Sequence, residues 1–187
     1  MKRFFSTIAF CAAAFSLQMA QAADLPASKQ TKLGLYLSAE EAAQYLAETP
    51  DAIMIDVRTP EEIAETGLAE EVDALIPLAI VDRKKGLISN PDFYPGIVKL
   101  ATDHNLAADQ PIVVICRSGN RSAQAANAIA QLGFRQVYSV TDGYEGDRAR
   151  SGPTAGKRTV NGWKNAGLPW RPEDPGNCAP ARDGGAC

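Results

Sequence analysis

The chain has 187 residues, of which 45% are hydrophobic and 22% are charged, and its formal net charge is −3. This length and composition predict one globular domain and exclude a wholly disordered chain. The mild negative charge lacks the basic surface typical of nucleic-acid-binding proteins, and four cysteines are too few for a disulfide-framework miniprotein.

The N-terminal residues 1–22 have the pattern of a secretory signal peptide. Residues 1–3 are a basic start, residues 4–19 are mostly apolar, and residues 20–22 form an A-x-A cleavage pattern. The apolar run is shorter than the roughly 20 residues of a membrane span, which disfavours an N-terminal anchor. We therefore expect a soluble periplasmic or secreted protein that has no membrane contact after cleavage.

The first half of the chain alternates strand and helix signals. Two capping boxes, Ser38 with Glu41 and Thr59 with Glu62, each mark the start of a helix. The predicted elements, in chain order, are a polar leader over residues 23–36, a strand over 33–37, a helix over 39–47, a strand over 52–57 and a short helix that ends at 67.

The second half continues the alternation and then loses it. Its predicted elements are a strand over residues 75–78, a polar loop over 83–90, a helix over 90–104, a strand over 112–115, a helix over 122–132 and a strand over 136–140. From Gly143 onward Gly, Pro, Asn and Asp accumulate. We therefore expect residues 151–187 to form a loop-rich tail, with Trp163 and Trp170 as anchors to the core.

Alternating strands and helices with short connections predict an α/β domain with a mainly parallel sheet, over residues 37–150. In such sheets ligands bind beyond the carboxyl ends of the strands. Two strands end there in polar segments, one at Asp56 and the other at Cys116. We therefore expect the chemistry of the protein at these two strand ends.

The segment after Cys116 has the composition of an anion-binding loop. Backbone N–H groups of a short loop at a helix N-terminus stabilise negative charge, including that of a thiolate. Arg117 and Arg121 add positive charge, and Gly119 permits a tight turn. These residues indicate a nucleophilic sulfur that faces an anionic substrate. The alternative is a buried structural cysteine beside surface arginines.

Two motifs carry a resemblance to a known family. The segment C-R-S-G-N-R-S-A, residues 116–123, resembles the active-site loop of rhodanese-type sulfurtransferases. The segment D-V-R-T-P-E-E, residues 56–62, matches the D-V-R-x-P-x-E segment of that family, and the resemblance covers roughly residues 37–146. It implies a three-layer sandwich around a mainly parallel five-stranded sheet, and neither a cofactor nor a metal.

The resemblance also implies roles for individual residues. Cys116 would take the outer sulfur of a donor such as thiosulfate, become a persulfide and pass the sulfur to a thiol or cyanide. Asp56 would accept hydrogen bonds from the loop, and Arg58 would pair with Glu62 or face the pocket mouth. For Asp56 and Arg58 a cap or ion pair without a catalytic role stays open. The residues expected to bind substrate are Arg117, Ser118, Gly119, Asn120, Arg121, Ser122 and Arg58.

Two other functions compete with a free sulfurtransferase. One is a persulfide carrier or binding module that exchanges sulfur with a partner protein in a periplasmic pathway; the presence of Cys116 argues against an inactive module. The other is a cysteine-dependent phosphatase or arsenate reductase. Those loops place five residues between Cys and Arg, whereas four separate Cys116 from Arg121.

The two tail cysteines, Cys178 and Cys187, are nine positions apart. In an oxidising compartment we expect them to form a local disulfide, since their spacing does not fit a zinc site. The alternative is that one of them resolves the Cys116 persulfide. The physiological donor, the acceptor and the oligomeric state stay open.

Overall fold

A computed structural model of the protein describes residues 25–172. In this part the helices are a 3₁₀ turn at Ala27–Lys29, α1 (Ala39–Glu48), α2 (Pro60–Thr66), α3 (Phe93–Asp103) and α4 (Asn120–Gln131). The strands are β1 (Tyr36–Leu37), β2 (Ile53–Asp56), β3 (Leu68–Ala69), β4 (Ala74–Leu75), β5 (Ala79–Asp82), β6 (Gly86–Ser89), β7 (Ile112–Ile115), β8 (Val137–Val140), β9 (Asp147–Arg148), β10 (Arg158–Val160) and β11 (Trp170–Arg171).

The centre of the fold is a five-stranded sheet in the order β1-β8-β7-β2-β4. Every neighbouring pair of these strands is parallel. The inner strand β7 is buried along its whole length, as expected for a parallel sheet covered on both faces. The mainly parallel five-stranded sheet predicted from the sequence is therefore confirmed.

Helices cover both faces of the sheet. Successive side chains of a strand point to opposite faces. Met54 of β2 and Val113 of β7 accordingly belong to a core shared with α1 and α2, whereas their neighbours Ile55 and Val114 belong to a core shared with α3 and α4. The protein is thus the three-layer sandwich that the sequence predicted.

Both predicted capping boxes are present. The Ser38 hydroxyl accepts a hydrogen bond from the Glu41 N–H, and the Glu41 carboxylate accepts one from the Ser38 N–H. Thr59 and Glu62 make the same reciprocal pair at the start of α2. These pairs satisfy N–H groups that the first turn of a helix leaves without partners.

The predicted polar loop over residues 83–90 is wrong, because this region is largely an antiparallel hairpin of β5 and β6. The polar residues form only its turn, where the Asp82 carboxylate accepts hydrogen bonds from the N–H groups of Lys84 and Lys85. Gly86 has φ +75°, in the left-handed region that glycine favours. The short side chain of Asp82 thus closes a turn that polarity alone indicated as a loop.

The leader packs onto the domain instead of lying loose. Lys29, in the 3₁₀ turn, is buried, and its Nζ lies 3.0 Å from Oδ2 of Asp147. The Ser28 hydroxyl also bonds the side chain of Asn120. The strand predicted over residues 33–37 is shorter than expected, because only Tyr36–Leu37 pairs with β8.

Residues 151–172 of the predicted tail are also part of the domain. β10 pairs with β9, and β11 pairs with β3. The Trp163 side chain is fully buried, and its indole N–H donates to the carbonyl of Pro169. The predicted signal peptide and the predicted pair Cys178 and Cys187 lie outside the described residues. No helix within the described range is long and apolar enough to cross a membrane.

Candidate active site

The candidate site lies at the carboxyl edge of the parallel sheet. Cys116 directly follows β7, Asp56 ends β2 next to it, and Asp142 follows β8 on the other side. Cys116 is only 1% exposed. The parallel strand order therefore places the cysteine where ligands of open α/β sheets bind.

The Cys116 sulfur sits beside the N-terminus of α4. The backbone N–H of Gly119 donates a hydrogen bond to Sγ, at 3.2 Å. Gly119 has φ +94°, and a Cβ at this position would overlap the carbonyl oxygen of Thr141. Glycine is therefore required for the N–H to face the sulfur, and this N–H stabilises negative charge on it.

A pair of buried serines lies under the sulfur. The hydroxyl oxygen of Ser122 is 3.6 Å from Sγ of Cys116, and it accepts a hydrogen bond from Ser139 at 3.1 Å. The carbonyls of Gly119 and Val140 lie 2.8 and 3.0 Å from the same hydroxyl and accept from it. Ser122 is therefore buried beneath the loop rather than at the mouth. Ser139, a polar residue inside the apolar strand β8, was not predicted from the sequence as part of this site.

The segment after β8 holds the backbone of the loop from the other side. The N–H of Tyr144 donates to the Cys116 carbonyl at 2.8 Å, and that of Glu145 donates to the Arg117 carbonyl at 2.9 Å. Gly143 allows this close approach, since it has φ +68° and lies against the backbone of residues 116–118. These contacts make residues 142–145 part of the site.

Both loop arginines already have carboxylate partners. Arg121 makes a bidentate pair with Glu62, at 2.7 and 2.6 Å. Arg117 pairs with Glu145, with Nε–Oε1 at 2.7 Å and Nη2–Oε2 at 3.0 Å. A longer ion pair of 3.8 Å joins Arg117 to Glu62. The predicted anion-binding guanidinium groups are therefore fixed in place, and their charges are balanced by two carboxylates.

The ionisation of Glu62 reflects these contacts. Burial disfavours its charge, but hydrogen bonds from Arg121 and from the Thr59 N–H outweigh burial and lower the pKa of Glu62. The same pair raises the pKa of Arg121, although burial opposes that charge as well. Glu62 thus joins the start of α2 to the Cys116 loop as a carboxylate, through Arg121 and not through Arg58.

The predicted roles of Asp56 and Arg58 are corrected. Both side chains are fully buried, and Arg58 neither faces a pocket mouth nor hydrogen-bonds Glu62. The Asp56 carboxylate instead accepts hydrogen bonds from three donors of Arg58: the backbone N–H, Nε and Nη2. The buried guanidinium of Arg58 must be paired with a negative charge, and Asp56, two positions earlier in the chain, provides it. The hydrogen bonds of Asp56 therefore go to Arg58 and not to the loop.

Arg58 also holds elements of the site together. Nη1 donates to the Thr66 hydroxyl at 2.8 Å, and Nη2 donates to the Gly67 carbonyl at 2.9 Å. Its guanidinium carbon lies 3.9 Å from the ring centroid of Tyr144, a cation–π contact. Arg58 therefore connects α2 to the segment that supports the Cys116 loop.

The remaining predicted site residues lie at the loop surface. Ser118 is partly exposed, and Asn120 is exposed at the first position of α4. The Asn120 side chain accepts a hydrogen bond from Ser28 at 3.2 Å. Direct contact of these two residues with substrate stays a prediction. Among the described residues no cluster of three His, Cys, Asp or Glu side chains is arranged to hold a metal ion.

A buried cysteine in an N–H-lined loop, at the carboxyl edge of a parallel sheet, defines the class of α/β domains with a cysteine active-site loop. A family model described as "Rhodanese-like domain" matches residues 38–149. The chain therefore belongs to the rhodanese-like domain family.

Individual relatives agree with this family. The chain is 30% identical over 136 residues to the uncharacterized protein RC0915 of Rickettsia conorii, covering 70% of this chain and 92% of that one. It is 27% identical over 107 residues to a protein named sulfurtransferase of Allochromatium vinosum, covering 57% and 81%. It is 32% identical over 105 residues to thiosulfate sulfurtransferase GlpE of Pseudomonas syringae pv. syringae, covering 56% and 79%.

Among solved structures, the crystal structure of Rv0390 from M. tuberculosis is similar, with 29% identity and a TM-score of 0.58. The match covers 74% of this chain and 97% of that one. Together, the family and the relatives named sulfurtransferases support a transferase that moves sulfur as the general class of this protein.

Proposed function

We propose that the protein is a sulfurtransferase that holds a sulfane sulfur as a persulfide on Cys116. It takes this sulfur from a small anionic donor such as thiosulfate and passes it to a thiol or to cyanide. The observation that carries the proposal is the 3.2 Å hydrogen bond from the Gly119 N–H to Sγ, at the N-terminus of α4. A persulfide is an anion at neutral pH, and such donors stabilise it.

The first step loads the sulfur. The Cys116 thiolate attacks the outer sulfur of the donor, and a new S–S bond forms at Sγ. With thiosulfate, the bond between the outer sulfur and the sulfonate sulfur breaks, and sulfite leaves with the electron pair. The second step reverses the roles, because the acceptor attacks the outer sulfur of the persulfide. The electron pair of the broken S–S bond then returns to Cys116, which is a thiolate again.

The surrounding residues support this cycle in different ways. The Gly119 N–H faces the charged sulfur, and the Ser122 hydroxyl lies within 3.6 Å of it. Glu145 and Glu62 balance the charges of Arg117 and Arg121 and hold these side chains at the loop, and the arginine N–H groups that the two pairs do not use can donate to an incoming oxyanion. This arrangement favours sulfur transfer over phosphoryl transfer, because four residues separate Cys116 from Arg121, whereas five separate Cys from Arg in the loops of cysteine-dependent phosphatases.

Mass spectrometry after incubation with thiosulfate tests the proposal. We expect the wild-type protein to gain one sulfur atom on Cys116, and we expect the Cys116→Ser variant to gain none. The adduct should disappear when cyanide is added, with formation of thiocyanate. If thiosulfate, polysulfide and glutathione persulfide all leave the mass unchanged, the proposal is wrong.

The same experiment separates an enzyme from a carrier. Turnover of thiosulfate and cyanide to thiocyanate by the isolated protein supports a free enzyme. A persulfide that forms only when a partner protein supplies the sulfur supports the carrier. We further propose a periplasmic or secreted location, which the signal-like pattern of residues 1–22 supports. Cell fractionation tests that location.

A further inference from the structure

Arg158, on β10, is a cation near the site that the sequence analysis did not single out. Nη1 donates to the carbonyl of Gly146 at 2.7 Å. Its Nε is buried without a hydrogen-bond partner in the described part of the chain. None of the ion pairs found between residues 25 and 172 includes Arg158. A buried N–H donor without a partner is costly, whereas the residue as a whole is partly exposed, so its side chain still borders solvent where a ligand can approach.

The position of Arg158 relates it to the catalytic loop. Its partner Gly146 directly follows Glu145, whose carboxylate holds Arg117, and Arg117 directly follows Cys116. Burial, and next the positive charge of Arg117, lower the pKa of Arg158. The positive charges of these two guanidinium groups therefore disfavour each other. A single anion between them relieves this repulsion.

The charge balance around the loop leaves Arg158 as the surplus cation. Glu62 balances Arg121, and Glu145 balances Arg117. Among the described residues Arg158 takes part in no ion pair, although the carboxylates of Glu145 and Asp147 favour its charge. Its hydrogen bond to the Gly146 carbonyl ties it to the segment that follows Glu145. β10 also lies beyond residues 38–149, which the family model matches.

We propose that Arg158 binds the carboxylate of an organic thiol or persulfide whose sulfur reacts at Cys116. Arg158 would then be a specificity-determining residue for substrates that carry an anionic group at a distance from their sulfur. This inference rests on the proposed function. The transfer itself is redox-neutral: the acceptor thiolate attacks the outer sulfur of the Cys116 persulfide, a new S–S bond forms on the acceptor, and the Cys116 thiolate leaves with the electron pair.

A matched pair of acceptors tests the proposal. N-acetylcysteine carries a carboxylate, whereas N-acetylcysteine amide has the same skeleton without that charge. Full-length protein is first loaded with sulfur, and loss of the persulfide is followed by mass spectrometry at several acceptor concentrations. Rates are expressed per thiolate concentration, because the two thiols differ in acidity. We expect the wild-type protein to react about tenfold faster with the acid than with the amide.

Variants assign this preference to the side chain. Arg158→Gln is expected to lower the rate with the acid about tenfold and to change the rate with the amide by less than about twofold. Arg158→Lys keeps the charge and is expected to keep most of the preference. Arg135→Gln is the matched control, because Arg135 is an exposed arginine just before β8, at the edge of the sheet opposite Cys116, and its loss is expected to leave both rates unchanged.

Three outcomes overturn the inference. One is a wild-type acid-to-amide ratio near one, a measurement that does not depend on any variant folding. Another is an equal loss with both acceptors in Arg158→Gln, which indicates a structural role only. The third is an acid preference that Arg158→Gln keeps in full, which shows that the Arg158 side chain is not its source. A protein that takes up no sulfur at all fails at the earlier loading step, which marks failure of the proposed function itself.

Discussion

Arg58 and Asp56 form an ion pair with both side chains fully buried, and their Nη2 and Oδ2 atoms lie 2.7 Å apart. Arg58 also contacts the Tyr144 ring, and the Tyr144 N–H bonds the Cys116 carbonyl. Asp56 and Arg58, which belong to a motif of the family active site, therefore support the Cys116 loop through their packing against Tyr144. Among the described residues their side-chain hydrogen bonds join them to each other, to Thr66 and to Gly67, and none goes to the sulfur.

The first prediction concerns this pair. Arg58→Ala leaves the Asp56 carboxylate buried without its partner, so we expect a loss of about 3–5 kcal/mol in the free energy of unfolding. Urea unfolding measures it. The double variant Asp56→Ala with Arg58→Ala should lose less than the sum of the two single variants, because no unpaired charge remains. Strictly additive losses would argue against coupling of the two residues.

The second prediction concerns the turn that presents an N–H to the sulfur. Gly119→Ala places a Cβ against the Thr141 carbonyl, in a backbone region that already disfavours side chains. We expect persulfide formation to fall at least about tenfold, since the donor N–H must move. Gly133→Ala is the matched control, because Gly133 has φ +101° but open space around it. It should cost about 1 kcal/mol of stability and leave sulfur loading unchanged.

The third prediction concerns the serine beneath the sulfur. Ser122→Ala removes the hydroxyl that receives the Ser139 hydrogen bond, and it leaves a fully buried donor without a partner. We expect a loss of about 1–3 kcal/mol in stability and slower formation of the Cys116 persulfide. Unfolding and loading kinetics report the two effects separately. Ser139→Ala should lower stability less, because Ser122 keeps its carbonyl partners, and a larger loss than in Ser122→Ala would contradict this order.

The fourth prediction concerns pH. The pKa of Glu62 is lower in the folded protein than its ordinary value of about 4.3. Glu62 therefore contributes stability above that ordinary value, and this contribution is lost as the pH falls through the lower folded pKa. We expect wild-type protein to be more stable than Glu62→Gln at pH 7 and the difference to shrink below about pH 4.

Thermal unfolding at a series of pH values measures this difference. Glu61→Gln is the control, because Glu61 is an exposed carboxylate in the same first turn of α2. It should show little difference from wild type at any pH. A Glu62→Gln deficit that stays constant down to pH 3 would mean that the ion pair with Arg121 is not its source.

The fifth prediction concerns the C-terminal segment. Trp163 is fully buried in the core that includes Tyr144, whereas Trp170 is 40% exposed and lies under the Lys164 ammonium. Trp163→Ala should cost about 3–5 kcal/mol, and Trp170→Ala about 1 kcal/mol. Chemical denaturation compares the two variants. Equal and small losses would show that residues 151–172 do not stabilise the domain.

Local patterns in the sequence were sufficient for the order of the four α-helices and of the five strands of the central sheet. The two capping boxes each involve residues only three positions apart, and the apolar run before Cys116 specifies a buried strand by itself. They failed at residues 83–90, where the side chain of Asp82 closes a hairpin turn. They also did not predict that parts of the tail and the leader pack onto the domain, since the burial of Trp163 and Lys29 depends on surfaces made by distant parts of the chain.

The sequence alone determined the α/β class, the order of the helices and central strands, and the candidate cysteine loop, because each depends on residues that are close along the chain. Only the tertiary structure decided which charges meet. Glu145 reaches Arg117 from 28 positions away because β8 lies beside β7, and Ser139 lies under the sulfur for the same reason. The Arg58 side chain is buried because Asp56 provides the carboxylate that a buried guanidinium requires.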